Sequence, residues 1–303
     1  MKGLIIYNQD FKDNAKFTEH IVWFQKEASN LGIILEKNTN TEILSSLDLI
    51  DERYYDFVLF FDKDIRLAQI LENKGLRLFN SSKAIEICDD KTLTQIVLEK
   101  SNIETPKTII CPKTFFGFKK EDLSFLDLAS SQLSFPLVLK EAFGSFGKEV
   151  YLINTQKELE EKVLSLKEKP LLFQEYIKES RGKDIRMHIV GGEFVGAVMR
   201  ENKEDFRANV TNGGKMFSYK PTQKEIEIGI KACKAIGLDF AGVDILFGKN
   251  GPLICEINSN AHMKNFYDIT KINIVKEILL YISDSVKNRE ESQQVVNKLT
   301  THL

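Results

Sequence analysis

The chain has 303 residues, of which 43% are hydrophobic and 28% are charged. This length and composition are typical of a globular protein with two or three domains. The formal net charge of −2 excludes a strongly basic protein of the kind that attracts nucleic acid, so no nucleic-acid partner is expected. No apolar run approaches the roughly 20 residues that cross a bilayer, so no membrane partner is expected either. The short N-terminal apolar run is followed at once by Asn8 and Asp10, which indicates a first buried strand rather than a signal peptide.

The cysteines are widely spaced, and no CxxC pair is present. None of them lies at metal-ligand spacing from a histidine. Buried, reduced thiols in a cytoplasmic protein are the simplest interpretation of Cys88, Cys111, Cys233 and Cys255.

Strand and helix patterns alternate over residues 1–80, which we interpret as an N-terminal α/β domain. The apolar runs predict strands at 3–7, 32–37, 57–61 and 76–80, with helices at 18–30 and 67–73. Such alternation is typical of a small parallel sheet covered by helices. No GxGxxG follows the first strand, so a dinucleotide-binding site has no support.

Two further units are predicted at 81–177 and 178–285, followed by a polar tail at 286–303 that we expect to fray. The first unit contains predicted strands at 105–110, 135–142, 150–153 and 170–177, a helix at 92–100 and a second helix after the capping box at Thr155–Glu158. The second unit contains predicted strands at 184–190 and 193–200, a helix after the capping box at Thr222–Glu225, a strand pair within 238–258 and a last helix at 269–285.

The strand pair within 238–258 carries the clearest candidate for a metal site. Because side chains alternate along a strand, Glu256 and Asn258 should share one face, while Leu253, Cys255 and Ile257 occupy the other. Asp244 lies on the preceding strand, where pairing can bring it beside Glu256. Two carboxylates and an amide oxygen suit Mg²⁺. The alternative interpretation is a polar strand end together with half of an ion pair.

A lysine followed by a glycine-containing loop is a candidate phosphate-binding segment. Lys140 ends an apolar strand, and Gly144, Ser145 and Gly147 lie in the loop that follows. Glycines allow successive backbone N–H groups to approach an anion closely. The GxxxxGK[ST] pattern of a P-loop is absent. An ordinary hairpin turn would look similar.

The strand that ends in Glu175-Tyr176-Ile177 offers a backbone edge beside an apolar slot, as an adenine ring requires, although an ordinary strand end would look the same. On the next predicted strand, Asp184, Arg186 and His188 share one face. Asp184 can accept from a ribose hydroxyl, and Arg186 can hold a phosphate or carboxylate. An exposed ion pair is the alternative, and His188 is interpreted as a structural residue with no assigned role.

A cationic strand end leads into a polar loop that resembles a mobile flap over a charged ligand, although a surface loop would look similar. The residues of this segment are Arg200, Arg207, Ala208, Asn209 and Asn212-Gly213-Gly214.

Taken in chain order, these motifs resemble the ATP-grasp superfamily and, within it, the RimK-like glutamate ligases. The resemblance covers roughly residues 75–285. The segments that carry it are 80–108, 135–153, 174–200, 206–214 and 237–258. It implies an α/β ATP-grasp fold in which ATP lies between two α+β subdomains, with a Rossmann-like pre-ATP-grasp domain at the N-terminus.

The resemblance also implies a role for each candidate residue. ATP would be bound by Lys91, Lys140, Gly144, Ser145, Gly147, Glu175, Tyr176, Ile177, Asp184, Arg207, Ala208 and Asn209. Catalytic charge stabilisation would come from Arg186, Arg200 and Arg207. Two Mg²⁺ ions, or Mn²⁺ in their place, would be held by Asp244, Glu256 and Asn258.

The implied reaction converts a carboxylate to an acyl phosphate, which an amine attacks to give an amide, ADP and phosphate. The implied partners are a carboxylate and an amine that belong to an amino acid, a peptide or a protein terminus, and a homo-oligomer is expected from the family. Two alternatives stay open: a peptide-modifying ligase that closes side-chain ester or amide links, and a nucleotide-binding protein without ligase activity.

Two departures from the family pattern bear on the substrate. Glu149 stands where the family usually has another glycine, which affects lid closure. The segment Ser259-Asn260-Ala261-His262 replaces the usual Pro-Gly turn after Asn258, and that turn helps to shape the acceptor pocket. The predicted metal residues themselves are intact.

Overall fold

The computed structural model describes residues 1–50, 53–145, 147–209 and 213–300, in which the strands form three sheets. The first sheet is parallel with the order β2-β1-β3-β4. Its strands are β1 (Lys2–Tyr7), β2 (Ile34–Thr39), β3 (Phe57–Phe61) and β4 (Leu78–Phe79). Helices α1 (Ala15–Asn30), α2 (Asn40–Ser45) and α3 (Ile65–Asn73) belong to the same part of the chain. The predicted parallel α/β arrangement is therefore present.

Continuous apolar runs in β1 and β3 explain why this sheet is covered on both faces. Ile5 and Leu59 enter one core cluster, whereas Leu4, Ile6 and Val58 enter another on the opposite face.

The second sheet is antiparallel with the order β5-β8-β6-β7. Its strands are β5 (Thr108–Ile110), β6 (Leu137–Glu141), β7 (Val150–Ile153) and β8 (Leu171–Glu175). Helices α6 (Leu126–Leu133) and α7 (Gln156–Leu166) cover one face, where Leu126, Leu159 and Phe173 share a core. Because Thr155 accepts a hydrogen bond from Glu158 N, the predicted N-terminus of α7 is confirmed.

The third sheet is antiparallel with the order β11-β10-β9-β12-β13. Its strands are β9 (Lys183–Val190), β10 (Glu193–Glu201), β11 (Lys215–Tyr219), β12 (Phe240–Gly248) and β13 (Gly251–Asn258). Helix α8 (Gln223–Ile236) packs on one face and begins with the predicted capping box at Thr222. Ile185, Met187 and Ile189 enter that core, so the alternate residues of β9 face the other way.

The remaining helices connect the three sheets. They are α4 (Ser82–Asp89), α5 (Lys91–Lys100), α9 (Lys264–Thr270) and α10 (Ile274–Thr300). Residues of α4 and α5 lie in the core of the third sheet, although the predicted division groups them with the second. Residues of α10 pack with those of α1 under the first sheet. The domain limits 1–80, 81–177 and 178–285 therefore stay a proposal.

The C-terminal helix differs from its prediction. A single helix was expected at 269–285, but α9 ends at Thr270 and α10 begins at Ile274. Lys271 lies between them with a φ of 62°, in the left-handed region that ends helices. Helix α10 then runs through Thr300 instead of stopping before the polar tail, and residues 301–303 lie outside the described residues.

Buried Asn80 joins the end of the first sheet to the strand that carries Asp244. Its Nδ2 donates to the carbonyl oxygens of Phe240 (3.0 Å) and Ser259 (3.2 Å). Its Oδ1 accepts from the backbone N–H groups of Asp239 (2.7 Å) and Phe240 (3.2 Å). All the bonding capacity of this side chain is used, so Asn80 fixes the position of the loop after β13.

We expect Asn80→Ala to lower the free energy of unfolding by about 2–4 kcal/mol, because it leaves several buried backbone groups without partners. Urea unfolding of the purified variant measures this effect. Asn73→Ala, at an exposed position at the end of α3, is the matched control. A loss below about 1 kcal/mol in Asn80→Ala would contradict the assigned structural role.

None of the helices in the described part of the chain is both long enough and apolar enough to cross a membrane.

Candidate active site

The polar face of the third sheet is organised in rows, because residues in register on neighbouring strands lie side by side. In one row, Arg186 of β9 pairs with Asp244 of β12, which in turn pairs with Glu256 of β13. In the next row, His188 pairs with Gly242, and Gly242 pairs with Asn258. The register therefore brings the three predicted metal residues together at one edge of the sheet. It also places the predicted catalytic Arg186 beside them.

Two arginines neutralise the carboxylates at the centre of this face. Arg186 binds Asp244 through both Nε and Nη2, the latter at 2.7 Å. Arg200 binds both oxygens of Asp184 at 2.6 Å and reaches Asp244 at 2.8 Å. Burial disfavours the charged form of Asp244, but Arg186 and Arg200 outweigh it and hold the pKa of this carboxyl below its usual range. Asp184 was predicted to bind the ribose of ATP. In the structure, both of its carboxylate oxygens accept hydrogen bonds from Arg200.

A β-bulge changes the expected alternation along β13. The register shifts between Asp244 and Ile245, so that Cys255 has no partner across the ladder. Ile254 and Ile257 therefore enter the core. The prediction that Cys255 shares a face with Ile257, opposite Glu256, is wrong. Instead, its Sγ lies 3.7 Å from Lys140 Nζ, on the side of the candidate nucleotide site.

The donor set at the edge of the sheet fits a hard divalent cation. The carboxylate of Glu256 makes no hydrogen bond or ion pair with the described residues, and Asn258, one row away at the same edge, carries an amide oxygen. Oxygen donors of this kind suit Mg²⁺ and Mn²⁺. Within the described ranges, no group of three or more His, Cys, Asp or Glu side chains is arranged to hold a metal. The predicted site differs from such a group because an asparagine supplies its third oxygen.

The predicted phosphate loop adopts a conformation that requires glycine. Gly144 has a φ of 133° and Gly147 a φ of 72°. A Cβ on Gly144 would lie 2.4 Å from a carboxylate oxygen of Glu149. The acidic residue that departs from the family pattern therefore packs directly on the loop. Phe146 lies outside the described residues.

Two lysines face this loop from different elements. Lys91, at the start of α5, donates from Nζ to the carbonyl oxygen of Gly144 at 3.1 Å. Burial lowers the pKa of Lys91, and the charge of Glu256 partly opposes this shift. Lys140 is buried in β6 and makes no ion pair within the described chain. Both ammonium groups thus lie near Glu256 and Cys255 at the third sheet.

The predicted flap contacts the phosphate loop. Arg207 donates from Nη1 to the carbonyl oxygen of Gly147 at 2.5 Å and is ion-paired with Asp205 at 2.7 Å. Asn209 Oδ1 lies 2.8 Å from the position that a Cβ on Gly147 would occupy. Ala208 is buried. Asn212, which was also expected in the flap, lies outside the described residues.

The segment predicted to bind adenine lies at the end of β8, beside the residues that precede β5. Glu175 Oε1 accepts from the backbone N–H of Lys107 at 2.8 Å. The ring of Tyr176 lies 6.4 Å from the ring of Phe206, and Ile177 follows it directly. Segments 105–110 and 171–177 are thereby held together at the end of the second sheet. The adenine role of these residues stays a prediction.

A cavity of about 380 Å³ opens between the first and third sheets, and motif reasoning did not predict its N-terminal wall. Asn8 and Asp62, which follow β1 and β3, meet there, with Asn8 Nδ2 donating to Asp62 Oδ1 at 3.1 Å. Asn260 Nδ2 donates to the carbonyl oxygen of Asp62 at 2.8 Å. The only available signal was the position of Asn8 and Asp62 at the carboxyl ends of parallel strands, where ligands commonly bind.

Comparison with known proteins gives the family to which this fold belongs. The model of the RimK-like ATP-grasp domain matches residues 88–282. The chain belongs to this family and is an ATP-dependent carboxylate–amine ligase, so the predicted fold class and reaction type are confirmed.

Two relatives and one solved structure show the extent of the similarity. An uncharacterized protein of Mycoplasma pneumoniae is 32% identical over 283 residues, which is 92% of this chain and 98% of that protein. A probable alpha-L-glutamate ligase of Legionella pneumophila is 36% identical over 220 residues, covering 72% of this chain and 70% of that protein. The D-alanine–D-alanine ligase of Bacillus anthracis complexed with ATP has the same fold, with a TM-score of 0.72, 18% identity and coverage of 97% and 99%.

Proposed function

We propose that this ligase binds ATP in the cleft between the second and third sheets and transfers its terminal phosphate to a carboxylate held beside Glu256. The observation that carries the proposal is the register of β12 and β13, which aligns Asp244 with Glu256 and Gly242 with Asn258. Lys140 approaches this edge from the second sheet, where its Nζ lies near Cys255. Carboxylates and ammonium groups thus face each other across the cleft.

Charge neutralisation is the main task of such a site, because phosphoryl transfer brings two anions together. Lys91 and Lys140 offset the charge of the phosphates. Two Mg²⁺ ions on Asp244, Glu256 and Asn258 would supply further charge neutralisation when bound. Arg186 and Arg200 hold Asp244 in place until then, and they can stabilise negative charge that develops on the acyl group.

The acyl phosphate must be protected from water before the amine attacks it. The phosphate loop and the flap are in contact through Arg207 and Gly147, and together they would close over the nucleotide. The amine would enter through the cavity of about 380 Å³ beneath the first sheet. Attack of its nitrogen on the acyl carbon then forms the amide and releases phosphate.

The proposed substrates are amino acids, peptides or protein termini, and the glutamate and D-alanine in the names of two relatives support the first of these classes. A cytoplasmic location is part of this proposal, and the four free cysteines support it. Assembly into a homo-oligomer stays a prediction.

A coupled assay of ADP release tests the proposed function. We expect ADP formation only when ATP, Mg²⁺, a carboxylate and an amine are all present, and we expect a fall of at least about 100-fold in excess chelator, because the phosphate charge is then poorly neutralised. Addition of Mg²⁺ or Mn²⁺ should restore the rate. Binding of ATP without ADP formation in any mixture of acids and amines would indicate a nucleotide-binding protein instead.

A further inference from the structure

A buried carboxylate lies in the wall of the cavity between the first and third sheets, and the reaction proposed for this ligase gives it no role. Asp62 follows β3 directly and is 6% exposed. It lines the cavity together with Asn8, which follows β1 in the same sheet. A ligand that fills the cavity would therefore contact this pair of residues on the side of the first sheet.

Asp62 differs from the other buried aspartates in the described part of the chain, because it has no cationic partner there. The other three each have an arginine at 2.6–2.9 Å, with Arg200 beside Asp184 and Asp244, and Arg77 beside Asp239. Lys63 adjoins Asp62 in sequence, but its Nζ is ion-paired with Asp89 at 2.7 Å. A buried carboxylate without a cation is costly, so a ligand that brings a positive charge is favoured beside Asp62.

The hydrogen bonds of Asp62 orient its carboxylate and leave acceptor capacity for a ligand. Oδ1 accepts from the backbone N–H of Lys63 at 2.6 Å and from Asn8 Nδ2 at 3.1 Å, whereas Oδ2 lies 3.3 Å from the same Nδ2. Asn8 is held in this orientation because its Oδ1 accepts from the backbone N–H of Asp10 at 3.0 Å. An ionised carboxylate has about four acceptor positions, so further donors can bind. Burial raises the pKa of Asp62, and a bound cation would oppose this shift.

Two contacts hold the end of β3 close to the reacting groups. Asn260 Nδ2 donates to the carbonyl oxygen of Asp62 at 2.8 Å. Asn260 follows the predicted metal residue Asn258 by two positions, so no more than about 7 Å separates the Cα atoms of these two residues. On the other side, Lys63 Nζ donates to Ser145 Oγ in the phosphate loop at 3.5 Å. Asp62 is thus held between the cation site and the phosphate loop, where the proposed reaction places the acyl carbon.

Aromatic rings make this wall unsuitable for a hydrated metal ion. Phe11 and Phe17 stack with their ring centroids 3.9 Å apart, and both line the cavity with Phe61, which immediately precedes Asp62. Mg²⁺ gives up its water molecules reluctantly, and no group of three or more acidic, histidine or cysteine side chains among the described residues is arranged to hold a metal. Apolar surroundings strengthen the attraction between a carboxylate and an organic cation, because the effective dielectric constant is low.

The amine of the proposed reaction is the substrate that supplies such a cation, since α-amino and aliphatic amino groups are mostly protonated at neutral pH. We propose that Asp62, oriented by Asn8, binds the ammonium group of the amine substrate before it reacts. The inference rests on the proposed function, because it takes the amine to enter through this cavity.

A screen of the unmodified protein is the first part of the test. ADP release is measured with ATP, Mg²⁺ and a mixture of N-acetyl amino acids and N-acetyl peptides as carboxylates. The nucleophile is either one of the twenty amino acids or hydroxylamine, which is uncharged at neutral pH, and mass spectrometry identifies the amide or hydroxamate. We expect turnover with at least one amino acid and with hydroxylamine. Turnover with hydroxylamine alone would overturn this inference and leave the ligase function intact, whereas no ADP release in any mixture would defeat both.

The second part compares the two nucleophiles in Asp62→Asn. This substitution keeps the size of the side chain and an oxygen that accepts from the N–H of Lys63, but it removes the charge. We expect kcat/KM for the best amino acid to fall at least about tenfold, mainly through KM, because a charge-assisted hydrogen bond to the ammonium group is lost. The rate with hydroxylamine should fall less than about threefold, since that nucleophile brings no ammonium group.

Asp56→Asn is the matched control. Asp56 is exposed at the opposite end of β3, where its Oδ2 accepts from the backbone N–H of Lys2 at 2.6 Å. This variant should keep the activity of the original protein with both nucleophiles. Equal losses with the amino acid and with hydroxylamine in Asp62→Asn would indicate a structural role and overturn the proposal. An unchanged kcat/KM for the amino acid in Asp62→Asn would overturn it as well.

Discussion

Glu256→Gln should lower the rate of ADP formation by about 10²- to 10³-fold at saturating ATP, because it removes a charge that the phosphates and their cations require. The substitution keeps the size and shape of the side chain. In the described structure the carboxylate of Glu256 has no hydrogen bond or ion pair to lose, so the fold should be unaffected. The expected result is a loss of activity without a loss of stability, measured by coupled ADP release and by thermal unfolding.

Glu227→Gln is the control for this change. Glu227 is exposed on α8, where it accepts from Gln223 Nε2 at 3.0 Å, far from the polar face of the third sheet. Its variant should keep the activity of the original protein. If Glu256→Gln turned over ATP at the same rate as Glu227→Gln, the assignment of the cation site would be wrong.

Lys140→Met should have an effect of similar size, about 10²- to 10³-fold, because a buried ammonium group no longer faces the phosphates. Methionine fills most of the same space in β6. Lys140 is 7% exposed and has only the thiol of Cys255 as a polar partner among the described residues. A buried charge without a carboxylate partner lowers stability, so we expect the melting temperature of Lys140→Met to stay constant or to rise.

Lys157→Met provides the comparison within the same part of the chain. Lys157 lies on α7 with its side chain 85% exposed, and its ion pair with Glu161 is long at 3.8 Å. This variant should lose neither activity nor stability. Full activity in Lys140→Met would contradict the role of Lys140 at the phosphates, and a clear fall in its melting temperature would show that Lys140 stabilises the fold.

Local patterns predicted much of the fold because they depend on neighbouring residues. The alternation of strand and helix patterns over residues 1–80 predicted a parallel sheet covered by helices, and Thr155 and Thr222 marked the starts of two helices. Alternation in β9 separated Arg186 and His188 from the core residues. The break between α9 and α10 was missed, since a single left-handed residue at Lys271 interrupts an otherwise continuous helical pattern.

The predictions for the site also divide into those that follow from spacing along the chain and those that depend on strand pairing. Spacing along the chain indicated that Asp244 and Glu256 could meet, and the register of β12 and β13 aligns them. Cys255 was assigned to the wrong face, because a bulge depends on the pairing of two strands and leaves little trace in either one. The pairing of Asp244 with Arg186 and Arg200 arises from three strands at once, so no local pattern could reveal it.

By itself the amino-acid sequence determined the class of this protein, because the residues predicted to bind phosphate and cation follow one another in a characteristic order with strands between them. The tertiary structure alone decided which residues line the cavity between the first and third sheets. Asn8 and Asp62 of the first sheet, His188 of the third sheet and Asn260 of the following loop are far apart in the chain and come together only when the sheets pack. Their burial, and hence the unpaired state of His188 Nε2, is a property of that packing and not of any single segment.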